Sequence, residues 1–184
     1  MIYRLRPLEQ KDSIGMLEWM HDPKINYLYT DKIRNATLES VQKFISDAEK
    51  QRYEQLSCHY AIVDEGDEYL GTISLKSIEA VKGAEYAISM RSRYQGKGIA
   101  SWATQEIFRI AFDEMRIHRI YLNVLSDNVH ANQFYIKNGF RYEGESRMCI
   151  LIDGVLKSLK WYAILADEYN EFMLQEKIMR GGIQ

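Results

Sequence analysis

The segment 94–100, Tyr-Gln-Gly-Lys-Gly-Ile-Ala, has the composition of an anion-binding turn. It contains Gly96, Lys97 and Gly98, and a long stretch of helical apolar spacing follows directly. Glycines let backbone N–H groups converge on one point, and the start of a helix adds unpaired donors and the positive end of the helix dipole. Such a turn stabilises a pyrophosphate. Taken alone, Gly-x-Gly is equally compatible with a structural turn that begins a helix.

Several other chemistries are excluded by their missing patterns. The turn lacks the Gly-x-x-x-x-Gly-Lys-Ser/Thr spacing of a P-loop and the third glycine of the Gly-x-Gly-x-x-Gly dinucleotide fingerprint. The chain has no Gly-x-Ser-x-Gly, no His-Glu-x-x-His and no paired Cys/His cluster. NTP hydrolysis, NAD use and hydrolase chemistry therefore have no support, and no metal is expected.

A second segment, 128–140, has the pattern Asn-x-x-Ala-x-x-x-Tyr-x-x-x-Gly-Phe. With Gln-x-x-Gly-x-Ala at 95–100, about thirty residues earlier, it resembles the two core motifs of the GNAT superfamily of acetyl-CoA-dependent N-acetyltransferases. The resemblance covers most of the chain. Within the superfamily, the sequence resembles the branch that contains ribosomal-protein N-terminal, spermidine and amino-sugar acetyltransferases. Its further positions are Trp19, Asp22-Pro23, Glu85 and Asp153-Gly154.

The resemblance implies where the cosubstrate acetyl-CoA binds. In this family, the strand before the glycine turn splays from a parallel neighbour, here 119–125, and the pantetheine arm lies between the two strands. Backbone groups of Ile88, Ser89 and Met90 are then expected to pair with the pantetheine amides. An N–H near Met90 would polarise the thioester carbonyl as an oxyanion hole.

The resemblance also assigns the pyrophosphate to the main chain of the turn and adds side chains around it. The expected main-chain contacts are Gln95, Gly96, Lys97, Gly98, Ile99 and Ala100. Arg91, Arg93 or Lys97 would add positive charge. Asn128 would hydrogen-bond the cofactor or lock the start of its helix.

Two residues are assigned to catalysis by the same resemblance. Tyr135 is expected to protonate the departing thiolate, and the alternative is a core aromatic packed beside Phe134. Glu85 is expected to take the proton of the acceptor amine, directly or through water, and the alternative is a surface glutamate on a half-solvated strand. His118 and His130 have suitable chemistry for the base, although the position of each favours a structural role.

The elements that must position these residues follow from hydrophobic periodicity. Strands are predicted at 1–8, 59–64, 69–75, 85–90, 119–125, from 140 and at 157–164, and helices at 13–20, 37–53, 98–115, 129–137 and 166–179. Ile14, Leu17 and Met20 are the expected inner face of the first helix, and Thr37 is the expected cap of the second. The elements predict an α/β (α+β) protein with a mixed, mostly antiparallel sheet of about seven strands flanked by helices. The resemblance implies that this is the GNAT acyl-CoA N-acyltransferase fold.

Composition sets the remaining expectations. A chain of 184 residues with 46% hydrophobic residues predicts one domain, 1–180, followed by a frayed tail at 181–184. A net charge of -2 argues against nucleic acid as a ligand. The absence of a long apolar stretch argues against a membrane partner, so a cytoplasmic protein is predicted. Cys58 and Cys149 are expected to be reduced and mostly buried.

The resemblance implies that the acceptor amine contacts the loop from Trp19 to Thr37 and the hairpin near Asp153. Lys32 and Arg34 oppose a polycation such as spermidine, so an amino-sugar nucleotide, an uncharged protein N-terminus or a small amine fits better. Spermidine is the alternative substrate. A hypothesis of another class is a catalytically inactive acetyl-CoA-binding or assembly module, and a homodimer or higher homo-oligomer is the default assembly.

Overall fold

The structure is a computed structural model that describes residues 2–181. Seven strands form one sheet in the order β1-β2-β3-β4-β5-β7-β6. The strands are β1 (Arg4–Pro7), β2 (Cys58–Val63), β3 (Tyr69–Glu79), β4 (Gly83–Met90), β5 (Arg119–Leu125), β6 (Arg141–Ile152) and β7 (Val155–Leu165). The helices are α1 (Ser13–Met20), α2 (Asp31–Arg34), α3 (Leu38–Tyr53), α4 (Ile99–Arg109), α5 (Val129–Lys137) and α6 (Ala166–Gly181). The predicted mixed sheet of seven strands is confirmed.

The sheet is antiparallel except where β4 meets β5. In the described part of the chain, these two strands pair in parallel at two positions, Ala84 with Ile120 and Glu85 with Tyr121. Beyond Glu85 the pairing ends, although β4 continues to Met90 and β5 to Leu125. The two strands therefore splay apart and leave a gap, as the resemblance implies.

Helix α1 lies where it is predicted, and its inner face differs from the expected one at Ile14, while Leu17 and Met20 are partly buried against the core. Ile14 is 64% exposed, whereas Met16 and Trp19 are buried. A spacing of three residues fits either face, and tertiary contacts decide between them. Gly15 lies so close to the ring of Tyr69 that an added Cβ would come within 2.5 Å of Cδ1, and the indole N–H of Trp19 donates to the Tyr69 hydroxyl at 3.0 Å.

Helix α3 begins at the predicted cap. The Thr37 hydroxyl accepts from the backbone N–H of Ser40, and the Ser40 hydroxyl accepts in return from the N–H of Thr37. Val41 and Ile45 are buried against the sheet, as their spacing predicts. Phe44 remains 37% exposed and contacts the ring of His59 edge-on. Helix α2 is a single turn that the periodicity does not predict. It lies in the acceptor loop, residues 19–37, which is expected to contact the acceptor amine.

Helix α4 connects β4 to β5 along the chain and packs at the centre of the core. Its last turn widens into a π-helix over Ile110–Glu114. Phe108 is fully buried and packs edge-on against Phe140, while both rings contact Tyr86 of β4. This aromatic cluster fixes the helix that follows the glycine turn against the strand that precedes it.

The structure corrects the expected burial of one cysteine and describes only the first residue of the predicted tail. Cys58 is buried, but Cys149 is exposed because β6 is the edge strand of the sheet. Gly181 is the last residue of α6, and the rest of the predicted tail, 182–184, lies outside the described residues. None of the described helices combines the length and apolar character needed to cross a membrane.

Candidate active site

The backbone of β4 presents N–H groups to the gap. The N–H of Arg91 donates to Leu70 of β3 at 3.0 Å, and the β3–β4 register runs without a shift from Gly71–Met90 to Lys76–Glu85. Because hydrogen-bonding direction alternates along a strand, the N–H groups of Ile88 and Met90 point away from β3 and toward the splayed side. The Met90 carbonyl points the same way and accepts from the Gln95 side chain at 3.2 Å.

Ser89 reaches the site through its side chain. Its backbone lies opposite Thr72 in a hydrogen-bonded position of the β3–β4 ladder. Its hydroxyl lies 3.0 Å from the hydroxyl of Tyr29, on the sheet face covered by α1. Of the three residues expected to pair with pantetheine, Ile88 and Met90 thus face the gap by main chain and Ser89 faces the α1 side by side chain.

The glycine turn has the geometry of an anion cradle. Gly96 and Gly98 have φ angles of +72° and +78°, and a Cβ added to either meets no atom within 4 Å. Gly98 is the residue before α4, and its carbonyl accepts the N–H of Trp102. The N–H groups of Ile99 and Ala100 precede the first intrahelical hydrogen bond and are available to an anion. The residues present therefore fit the pyrophosphate of acetyl-CoA.

Two of the three cations expected near the pyrophosphate are bound to carboxylates. Arg91 is buried, donates to the Tyr69 carbonyl at 2.7 Å and forms ion pairs with Glu18 and Glu68. Arg93 also pairs with Glu68, at 2.8 Å. Arg91 shares the sheet face of Ser89 and so points toward α1, away from α4.

Lys97 is the remaining cation of the turn. It is exposed, and its ammonium lies 5.3 Å from the centre of the Tyr94 ring. Among the side chains that the structure describes, no carboxylate pairs with Lys97. Lys97 is therefore the side chain that can add charge to an anion in the cradle.

Tyr135 approaches the gap from α5. Its ring is 91% buried and packs edge-on against Tyr86 and Phe140, with centroid distances of 6.0 and 5.7 Å. Burial, and secondarily the neighbouring phenol of Tyr29, raises the pKa of Tyr135. In the described chain no hydrogen-bond partner of the Tyr135 hydroxyl is found, whereas the buried hydroxyl of Tyr162 donates to Asn132 at 2.7 Å. The phenol is neutral at physiological pH and its proton is not committed to the fold.

The start of α5 is fixed by two asparagines. The Asn128 side chain accepts from the N–H of Ala131 at 3.2 Å, so it locks the helix start, the second of its two expected roles. Asn132, for which the sequence analysis gives no role, donates to the carbonyls of Leu125 and Asn128. Its spacing of four residues after Asn128 is the signal that places both on one helix face. Together they hold α5, and hence Tyr135, against β5.

Glu85 lies at the closed end of the gap. Its carboxylate pairs with Lys76 at 2.8 Å, on the same sheet face as Ser89. Four residues along a strand separate Glu85 from Ser89, which is roughly 13 Å. The two histidines with base chemistry lie elsewhere: His118 contacts the Val81 carbonyl at 2.9 Å, and His130 is exposed on α5. Among the described residues no group of three or more His, Cys, Asp or Glu is arranged to hold a metal ion.

The acceptor loop is tied to the β6–β7 turn by Arg34. Its guanidinium donates to both carboxylate oxygens of Asp153, at 2.6 and 3.0 Å, and to Asp31 at 2.6 Å. The hydrogen bonds from Arg34 lower the pKa of Asp153. Arg34 therefore pairs with both carboxylates and offsets one of their two negative charges.

Comparisons with known proteins identify the family. The family description "Acetyltransferase (GNAT) domain" matches residues 3–141. A probable N-acetyltransferase, YjcK, of Bacillus subtilis is 29% identical over 88% of this chain and 92% of its own length. The spermidine N(1)-acetyltransferase of Escherichia coli K12 is 28% identical over 90% of this chain and 87% of its own.

Solved structures share the fold. The spermidine N-acetyltransferase of Vibrio cholerae, in complex with CoA and spermine, has a TM-score of 0.81 at 22% identity and covers 91% of this chain and 98% of its own. RimL, a ribosomal L7/L12 alpha-N-protein acetyltransferase in complex with coenzyme A, has a TM-score of 0.81 at 20% identity, with 90% and 95% covered.

Proposed function

This chain belongs to the GNAT acetyltransferase family, and from that premise we propose how its residues transfer an acetyl group from acetyl-CoA to an amine. It is an N-acetyltransferase with acetyl-CoA as cosubstrate. The observation that carries the assignment of residues is the gap between β4 and β5, which has backbone N–H groups on one side and Tyr135 beside it. A gap of this kind inside a sheet accepts an extended ligand by main-chain hydrogen bonds.

We assign the binding roles from the direction of each group. Ile88 and Met90 donate their N–H groups to the pantetheine arm and the thioester carbonyl. Main-chain N–H groups from Gln95 to Ala100 hold the pyrophosphate, with Lys97 adding charge. Gln95 also holds the Met90 carbonyl in place through its side chain. Donors fixed before the reaction stabilise charge on the carbonyl oxygen without reorganisation.

The chemistry then needs two proton transfers. The amine forms a C–N bond with the acetyl carbon while its proton leaves to a base, and the C–S bond breaks. The Tyr135 hydroxyl gives its proton to the departing sulfur and regains one from solvent. The thiol of coenzyme A is a far better acid than an alcohol, so the contribution of Tyr135 lies toward the lower end of the ~10²–10⁴ typical of general acids.

Glu85 is the proposed base. It acts through water, because it lies at the closed end of the gap and the thioester is bound near Met90, at the other end of β4. Glu85→Gln is expected to lower turnover mainly below about pH 8, where the acceptor amine is still protonated, and high pH should restore it. Initial rates of thiol release across the pH range test this. Glu79→Gln is the matched control, because Glu79 forms a similar ion pair with Lys82. A Glu85→Gln profile parallel to wild type would remove Glu85 from proton transfer.

For the acceptor, we propose a primary amine without a second cation, such as an amino-sugar nucleotide or a protein N-terminus. The support is Arg34, which pairs with both Asp31 and Asp153 and offsets one of their two negative charges, so that less negative charge remains for a polycation. Spermidine is the alternative, and it is the substrate named for the Escherichia coli relative.

A panel of acceptors tests this assignment. We expect kcat/KM, measured by thiol release, to be up to about fivefold higher for an N-terminal peptide or an amino-sugar nucleotide than for spermidine, the size of one exposed charge contact of about 1 kcal/mol. Spermidine ranking first would overturn it. A cytoplasmic location and the absence of nucleic acid among the ligands stay predictions from composition, and a homo-oligomeric state stays a default expectation.

A further inference from the structure

Tyr29 brings a second phenol to the gap. It follows a short turn at Asn26–Leu28 that connects α1 to α2, and its ring is tilted against Trp19 at a centroid distance of 5.4 Å. Its hydroxyl lies 3.0 Å from Ser89 Oγ. The packing against Trp19 fixes the ring, and the hydrogen bond with Ser89 fixes the hydroxyl.

The position of this hydroxyl pair relates directly to the reacting atoms. Ser89 stands between Ile88 and Met90, whose N–H groups face the gap. The side chains of Tyr86 and Met90 point to the α4 face of the sheet, where Tyr135 packs, whereas the Ser89 side chain points to the α1 face. Tyr29 and Tyr135 therefore approach the same stretch of β4 from opposite faces.

The chemistry of the pair suits an amine. Burial raises the pKa of the Tyr29 phenol, so it stays neutral over the working pH range and cannot serve as a phenolate base. Each hydroxyl oxygen has two lone pairs, and one hydrogen bond joins the two groups. The remaining lone pairs can accept the N–H groups of an amine. An amine held in this way keeps its own lone pair free for attack.

We propose that Tyr29 and Ser89 together bind the acceptor amine and orient its nitrogen toward the acetyl group, on the face opposite Tyr135. This rests on the proposed function, since it specifies the acceptor side of the same site. The two phenols then divide the reaction between them: Tyr29 holds the incoming nitrogen, and Tyr135 protonates the outgoing sulfur.

The test uses Tyr29→Phe, which removes one hydroxyl and keeps the ring on Trp19. Initial rates over a range of amine concentrations give kcat and KM, and calorimetry gives the affinity for acetyl-CoA. We expect kcat/KM for the amine to fall by about 10–100-fold, with acetyl-CoA affinity within about twofold of wild type. Ser89→Ala should have a similar effect, and the double variant should lose little more, because both residues act as one pair.

Tyr53→Phe is the matched control, since Tyr53 is 92% exposed at the end of α3, outside the loop that is expected to contact the acceptor. It should behave as wild type. An unchanged kcat/KM in Tyr29→Phe overturns the proposal. A parallel loss of acetyl-CoA affinity also overturns it, because Tyr29 would then shape the cofactor site.

Failure of the proposed function has a different signature. Wild-type protein that releases no thiol with any amine of the panel would overturn the proposed acetyl transfer to those acceptors. If wild type is active and Tyr29→Phe is equally active, only the acceptor role of Tyr29 is overturned. A second measurement does not depend on turnover. Calorimetry gives the affinity of the amine for the protein saturated with coenzyme A, and this affinity should be lower in Tyr29→Phe than in wild type.

Discussion

Gly98→Val is expected to lower the affinity for acetyl-CoA by roughly 10²–10⁴-fold. The residue has a φ of +78°, where a side chain costs about 1–2 kcal/mol, and the space beside its Cα is open. A valine would fill that space and turn the N–H groups of the cradle away from the anion. Losing two hydrogen bonds to a charged group, at about 1.5–3 kcal/mol each, accounts for the expected range.

Calorimetry with acetyl-CoA, ATP and NAD measures this effect. Wild type should bind acetyl-CoA with a Kd of roughly micromolar size, about -8 kcal/mol, without comparable heats for ATP or NAD. Gly154→Val is the matched control, because Gly154 has a φ of +74° with open space around it and lies at the β6–β7 turn. Gly154→Val should lower the folding stability about as much as Gly98→Val does, and it should leave acetyl-CoA binding intact. If Gly98→Val still binds acetyl-CoA as wild type does, the cradle is elsewhere.

Tyr135→Phe is expected to lower turnover on the order of 10–10³-fold and to leave stability and acetyl-CoA binding nearly unchanged. The substitution keeps the ring packing with Tyr86 and Phe140 and removes only the hydroxyl. Because that hydroxyl has no hydrogen-bond partner among the described residues, its loss leaves no donor or acceptor of the fold unpaired. Thermal unfolding and initial rates on the same preparation check both parts.

Tyr162→Phe gives the opposite pattern and serves as the comparison. The Tyr162 hydroxyl donates to Asn132, so its removal should cost about 1–3 kcal/mol of folding stability. Turnover per folded molecule should remain close to wild type. If Tyr135→Phe is stable and has an unchanged turnover number, Tyr135 is not the acid, and ordered water must protonate the sulfur.

The sequence predicts well where structure depends on neighbours along the chain. The bounds of β5 and α5 agree with the periodicity to the residue, and the cap at Thr37 has its expected partner. The glycine turn is also predictable, because positive φ at Gly96 and Gly98 is a local property of residues without a side chain. Such features need no knowledge of the tertiary fold.

Features that depend on distant contacts could not be predicted. Arg91 lies only a few residues from the cradle, but the pleat of β4 directs it to Glu18 of α1, 73 residues earlier in the chain. The contact between Tyr29 and Ser89 joins residues 60 apart. The inner face of α1 likewise depends on the ring of Tyr69. In each case the residue type allows several partners, and the packing of another element selects one.

The narrow parallel junction between β4 and β5 has a consequence for folding. β1–β4 form one antiparallel unit, β5–β7 form another, and two residue pairs join them beside α4. We expect an extended ligand in the gap to complete the ladder that the chain leaves open and so to act as an additional strand. Mass action then links cosubstrate supply to resistance against unfolding, by about 2.7 kcal/mol at a concentration 100 times Kd. A higher level of acetyl-CoA is thus expected to raise the free energy of unfolding of the enzyme.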